Sequence, residues 1–147
     1  MAGCLPSPYY QNVEAVPHYA WSYDFKPTFT FDVTDTAADY RPYLIIRHTQ
    51  AYPFNNIWLL MHVKAPGEKL VRTERVNVVL AEPSGKWMGR GMEDVWEQHL
   101  YLKTEDSFSF HKKGTWEISL EQNMRVNPLP EVMNVGLRVE QAPPKNR

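Results

Sequence analysis

The sequence predicts an all-β fold, an antiparallel β-sandwich of immunoglobulin-like or jelly-roll-like form with about seven or eight strands. Three observations predict it. Apolar and polar residues alternate with a period of two in run after run, which puts one face of a strand inside and the other in water. Clusters of Gly, Pro, Asn, Asp and Ser separate those runs, without the helical intervals a parallel sheet needs. Aromatic residues make up 13% of the chain, an excess that suits pleated, half-buried surfaces.

The first strand is read over 25–33, with Phe25, Phe29, Phe31 and Val33 on the inner face and Lys26, Thr28, Thr30 and Asp32 outside. A loop over 35–41 leads to a strand over 42–49, whose centre, Leu44, Ile45 and Ile46, is apolar on both faces and therefore central. Tyr52, Pro53, Phe54, Asn55 and Asn56 form a turn, and 57–63 returns as a second central strand, so the pair is expected to form a hairpin. Pro66 and Gly67 reverse the chain into a strand over 71–80, within a segment that could also be an insertion or protruding hairpin, and Glu82, Pro83, Ser84 and Gly85 end it. Glycines punctuate 87–96, where a short helical turn over 92–95 is expected. A brief strand over 99–103, another over 113–120 carrying Trp116, Ile118 and Leu120 on one face, and a last one over 134–140 complete the set.

A chain of 147 residues is one domain's length, able to bury roughly 70% of the surface its unfolded form exposes. The division read from the sequence is a tether over 1–16, polar and carrying two prolines from Leu5 to Val16, a single sandwich over 17–141 and a tail over 142–147. The formal net charge is −1, from sixteen basic and seventeen acidic residues. Such a balance provides no field to gather phosphates, so nucleic acid is excluded as a partner. No apolar run reaches the length of a membrane-spanning helix.

The single cysteine, Cys4, forbids an internal disulfide and a multi-cysteine metal cage. It follows Ala2 and Gly3, the local pattern at which a bacterial lipoprotein signal is cut and its cysteine acylated. The apolar stretch of such a signal does not precede it, and Met1 is read as the start of a chain from which the signal has been removed.

Catalytic groupings are not evident. Ser84 and Gly85 stand in a proline-led turn lacking the flanking glycines of a nucleophile elbow. No two of His18, His48, His62, His99 and His111 have zinc-helix spacing, although a hairpin would bring His48 and His62 side by side. Glu93 with Asp94, and Glu105 with Asp106, are neighbours that point apart in strands. The GRG at 89–91 lacks the strand-to-helix context of a phosphate loop. No cofactor is implied.

The aromatics offer a different kind of site, since Trp, Tyr and Arg favour protein interfaces and aromatic platforms stack on sugars. The residues least explained by alternation are Trp87, Met88, Arg90, Met92 and Trp96, with Tyr52 and Phe54 at the expected hairpin tip. This group reads either as a plug over one end of the sandwich or as a docking surface. A hydrolytic site assembled only in the fold is a third, weaker reading.

The segments RHTQAYPFNNIWLL, EPSGKWMGRGMEDV and EQNMRVNPLPEVMNVGLRVE, in that order, resemble the gliding motility lipoprotein family GldH of the Bacteroidota. The likeness runs over nearly the whole chain and is most specific at 55–59, at Gly85, Lys86, Trp87, Gly89 and Gly91, and from Met124 to the last strand. It implies a lipid-anchored envelope protein acylated on Cys4 and facing the periplasm. It also implies work with other proteins of the gliding apparatus and its associated secretion system, without enzymatic activity. The alternative reading is a carbohydrate-binding module. The sequence departs from the family's pattern at Asn127 and Glu131, where an acidic residue and a glycine are expected. A turn that needs glycine would give Glu131 a different backbone.

Overall fold

The computed structural model describes residues 7–103 and 110–142. Cys4 and the tail beyond Ala142 lie outside them. Among the described residues the chain is all-β, with eleven strands in three antiparallel sheets. The strands are β1 (Tyr10–Ala15), β2 (Ala20–Trp21), β3 (Thr28–Val33), β4 (Asp39–Thr49), β5 (Asn56–Lys64), β6 (Arg72–Val79), β7 (Arg90–Met92), β8 (Val95–Tyr101), β9 (Gly114–Gln122), β10 (Leu129–Pro130) and β11 (Val132–Ala142). A five-stranded sheet runs β1-β11-β4-β8-β7 and a four-stranded sheet runs β3-β9-β5-β6, while β2 and β10 form a small ribbon. Two layers follow from the alternation, because each sheet has one apolar face and must cover it.

One core joins Phe29 and Phe31 of β3, Leu44 and Ile46 of β4, Leu59 and Met61 of β5, Ile118 and Leu120 of β9, and Val135, Leu137 and Val139 of β11. Burying each such side chain contributes about 1.5–3 kcal/mol. The four-stranded sheet follows the alternation almost residue for residue; β3 reads exposed, buried, exposed, buried along TFTFDV. Phe25, assigned to this strand from the sequence, precedes it and packs against the core as a partly buried residue.

The expected hairpin between the two central strands is not formed. Strand β4 pairs with β11 and β8, whereas β5 pairs with β6 and β9, so the turn at 50–55 carries the chain from one sheet to the other. Both strands are apolar because each is central in its own sheet, and period-two patterning cannot distinguish that from adjacency. The hairpin that does form is β5 with β6, across the Pro66 and Gly67 turn, which makes 71–80 an ordinary edge strand and not an insertion.

Four strands escape the pattern. Strand β1 lies inside the stretch read as a tether, paired along its length with β11. As an edge strand it shows mostly polar side chains, and its anchoring comes from backbone pairing and from Val16, buried just beyond it. Strands β2 and β10 have two residues each, too short for periodicity. Strand β7 replaces the helical turn expected over 92–95: Met92 pairs with Val95, and Glu93 and Asp94 form a two-residue hairpin turn. Glu93 there takes φ +57, a conformation that usually falls to glycine.

The ribbon end is tied by Gln122, which is fully buried. Its amide nitrogen donates to the carbonyls of Trp21 (3.3 Å) and Val126 (3.0 Å), and its oxygen accepts from the Met124 N–H (2.8 Å). A buried polar group costs little only when bonded in this way. Trp21 is buried as well, its indole N–H donating to the Phe25 carbonyl at 2.7 Å.

Candidate functional site

The three segments that carried the resemblance are far apart in sequence and meet at one end of the sandwich. His48, at the end of β4, packs its ring at a tilt against Trp87, with centroids 4.6 Å apart, and against Tyr52 at 5.5 Å, and Tyr52 in turn packs against Phe54 at 5.9 Å. Tyr52 is buried, its hydroxyl donating to the Asn56 carbonyl at 2.8 Å. Burial pushes its phenol far above the ordinary range. The hydroxyl of Thr49 donates to the Glu131 carboxylate at 2.6 Å, and the Gln50 N–H donates to the Asp94 carbonyl at 2.8 Å. These bonds tie the turn after β4 to the β7–β8 hairpin and to the entry of β11.

His48 is fully buried. Its Nδ1–H donates to the Thr49 carbonyl at 2.9 Å, so its Nε2 accepts from the Gln98 amide nitrogen at 2.9 Å. The same nitrogen donates to the Leu80 carbonyl at 3.1 Å. The arrangement requires neutral imidazole, and desolvation lowers its pKa accordingly. His48 is therefore a core residue that fastens the 80–88 loop. His62 lies in the other sheet, between the Thr73 hydroxyl (2.8 Å) and the Glu121 carboxylate (2.9 Å). The two histidines do not meet, because β4 and β5 belong to different sheets. Ser84 holds a turn, its hydroxyl accepting from the Lys86 N–H at 3.4 Å.

The candidate residues thus divide. Tyr52 is buried, and Phe54 and Trp87 are half-buried against it and the core, while Trp96 is half-buried with its ring against Gly91. Tyr52, Phe54 and Trp87 are the plug. Met88, Arg90 and Met92 are exposed, Met92 by 80%. The hairpin's outer side borders a groove of about 760 Å³ lined by Arg47, Arg90, Met92, Glu93, Val95, Glu97 and Met133, among others.

Met133 is the residue that sequence reasoning missed. It sits where the β11–β4 register shifts: Val132 pairs with His48 and Asn134 with Arg47, leaving Met133 as the extra residue of a β-bulge. A bulge re-aims a side chain, here into the groove. Glu131, two residues earlier, takes φ +67, the left-handed conformation glycine adopts freely. Glutamate holds that conformation here, its carboxylate accepting from the Thr49 hydroxyl. Across the groove Arg47 donates to Glu97 at 2.6 Å, which holds the Glu97 carboxyl below its ordinary pKa.

Residues 8–139 match the family model described as GldH lipoprotein. The chain belongs to the GldH lipoprotein family. It is 30% identical over 129 residues to the gliding motility lipoprotein GldH of Flavobacterium johnsoniae, covering 83% of this chain and 78% of that protein. It is 26% identical over 148 residues to the gliding motility lipoprotein GldH homolog of Christiangramia forsetii, covering 96% and 88%. Among solved structures, the infectious bursal disease virus VP2 subviral particle aligns with 94% of this chain and 34% of its own, at 10% identity and a TM-score of 0.39. Within this GldH-family chain, the groove takes Arg47 from the first of the segments that carry the likeness, Arg90 to Glu93 and Val95 from the second and Met133 from the third, with Glu97 of β8 beside them, while Tyr52 and Phe54 of the first segment pack the plug.

Proposed function

We propose that this chain is a lipid-anchored component of the bacterial envelope, acylated on Cys4, that serves the gliding motility apparatus and its associated secretion machinery through protein contacts rather than chemistry. Its relatives' names support the apparatus and the lipid. The body is proposed to face the periplasm, with the outer side of the β7–β8 hairpin as the docking surface.

The observation that carries the docking reading is Met92. A large apolar side chain 80% exposed at the tip of a hairpin and bordering a groove offers a partner apolar surface beside a concavity. Methionine adapts its shape to a partner at low cost. Trp96, closed on Gly91 within the hairpin, and Trp87, packed on His48 behind it, hold the surface, which limits what binding must spend on ordering.

A photo-crosslinking residue placed at position 92, and as a control at Leu70 in the connection between β5 and β6, tests this in the native host. Leu70 is 84% exposed, so accessibility is matched. Discrete protein adducts from position 92 and not from 70, weakened by Arg90→Glu, are expected. Equal labelling from both positions, or none from 92, removes the hairpin from the account.

A further inference from the structure

Strand β6 closes one side of the four-stranded sheet, and its outer edge is bare. The Leu80 N–H donates to the Asn55 carbonyl at 2.8 Å, in the register that pairs Asn56 with Val79. Bonding residues alternate along an antiparallel strand, so Thr73, Arg75, Asn77 and Val79 turn their N–H and C=O groups away from β5. No strand pairs with them among the described residues. Their side chains leave the edge clear by bonding back over the sheet. The Thr73 hydroxyl meets His62 Nδ1 at 2.8 Å, and Asn77 accepts from the Asn56 amide at 2.7 Å. The Arg75 guanidinium lies 4.0 Å from the centroid of the Trp58 ring and donates to Asn123 at 3.0 Å. The other edges are covered or short. Tyr9 donates its hydroxyl to the Asp32 carbonyl of β3, Asn12 Oδ1 takes the Val13 N–H of β1 at 3.0 Å, and β7 has three residues. Strand β6 has eight, without glycine, proline or a register shift, and such an edge is a template for another strand.

We propose that β6 pairs with β6 of a second copy, antiparallel about a two-fold axis at Val76, joining two four-stranded sheets into one. In that register Thr73 stands opposite Val79 of the second copy and Arg75 opposite its Asn77, so every outward residue of both strands is bonded. A two-fold at Arg75 would set the two arginines directly opposite, a like-charge pair that opposes it. A two-fold at Asn77 carries Thr73 past the end of the other strand. The axis at Val76 also gathers exposed apolar side chains. Val71, just before β6 and 51% exposed, falls diagonal to Val79, 49% exposed at the strand's end, on the same face of the joined sheet. A second copy supplies that contact at both ends of the strand, and an isologous contact of this kind closes at two copies. The pairing is independent of the hairpin surface, which belongs to the other sheet.

Sedimentation equilibrium of the full chain, with a reductant so that Cys4 does not couple copies, is expected to show a monomer–dimer equilibrium. The amides of Thr73, Arg75, Asn77 and Val79 are expected to gain protection from hydrogen exchange as concentration rises, while those of β1 do not. Asn77→Pro removes an outward N–H and leaves the bonds to β5 in place, since an edge strand tolerates proline there. It is expected to weaken association by roughly tenfold or more, through bonds lost on both sides of the axis. Val71→Lys with Val79→Lys sets like charges across the axis and is expected to weaken association too, in a chain whose β5–β6 amides stay protected. Should Asn77→Pro disturb that protection, the lysine pair decides. A chain that stays monomeric up to millimolar concentration, association unmoved by the lysine pair, or protection gained at another edge instead would each overturn the pairing. Protection of the four amides that arises only when a different envelope protein is added would also overturn it, assigning the edge to that partner. An adduct of two copies from position 70 in the host belongs to this pairing, and its composition separates it from a partner's adduct at 92.

Discussion

The six-membered ring of Trp96 rests against the α-carbon of Gly91, its direct cross-strand partner in the β7–β8 hairpin. A Cβ at position 91 would lie 2.7 Å from three of the ring carbons. The glycine is thus required for the close approach of a ring, and Gly91→Ala forces the indole off the strand. Overpacking of this kind costs about 1–3 kcal/mol. Chemical denaturation of the variant is expected to show that loss, with hydrogen-exchange protection falling first at β7. A variant as stable as the parent would mean the ring has room to move.

His48 makes stability depend on pH. Its folded pKa is lowered below 6.5, chiefly by burial, with the bond to the Thr49 carbonyl partly opposing the shift. The folded state therefore holds a proton less tightly than the unfolded chain. Its contribution to stability is complete above the unfolded value and is lost as pH falls below it toward the folded value. No charged side chain of β4, β8 or the 80–88 loop bonds the ring; its partners are Thr49, Gln98, Tyr52 and Trp87. Urea unfolding across roughly pH 5–7 is expected to show stability declining with acid, and a flatter profile from a lower starting point in His48→Phe. An unchanged slope in the variant would assign the decline to other groups.

Strand β1 is held by backbone and by one buried ion. Gly136 faces it so closely that a Cβ there would stand 2.5 Å from the Asn12 carbonyl oxygen. Arg138, 7% exposed, donates to Gln11 at 2.7 Å and to Glu140 at 2.9 Å. Gly136→Ala is expected to lift β1 from the sheet, and Gln11→Ala to cost about 1.5–3 kcal/mol, the range for a hydrogen bond to a charged group. Protection of the β1 amides against exchange reads both. Amides that exchange freely in the parent would return this segment to the tether.

The proposed anchoring is through Cys4. Expressed in its host with a native signal, the protein is expected to carry a lipid-sized mass increment and to sediment with membranes. Cys4→Ser is expected to lose both, since stable anchoring needs the acyl chains. A soluble, unmodified parent would make the cysteine incidental.

The strands that bury one clean face were legible without a structure. Phe29, Phe31 and Val33 in β3, and Trp116, Ile118 and Leu120 in β9, alternate because a strand between core and water must. Of the proposed docking surface, Arg90 and Met92 were legible as residues that alternation leaves unexplained. Tyr52 and Trp87 were singled out by the same criterion and are inward-facing, because an irregular loop folded over a sandwich end breaks the period just as an exposed loop does.

By itself, then, the sequence determined the fold class, the family and the position of the cysteine, since these depend on local alternation, turn chemistry and ordered motifs. Only the tertiary structure decided that β4 and β5 part company, that the polar stretch at Tyr10–Ala15 is a strand, and that Met133 joins Met92 and Val95 in one groove. Those outcomes depend on which strand lies beside which. Pairing partners are chosen by backbone hydrogen bonds and by the need to cover two sheets at once, and neither requirement leaves a periodic mark on the chain.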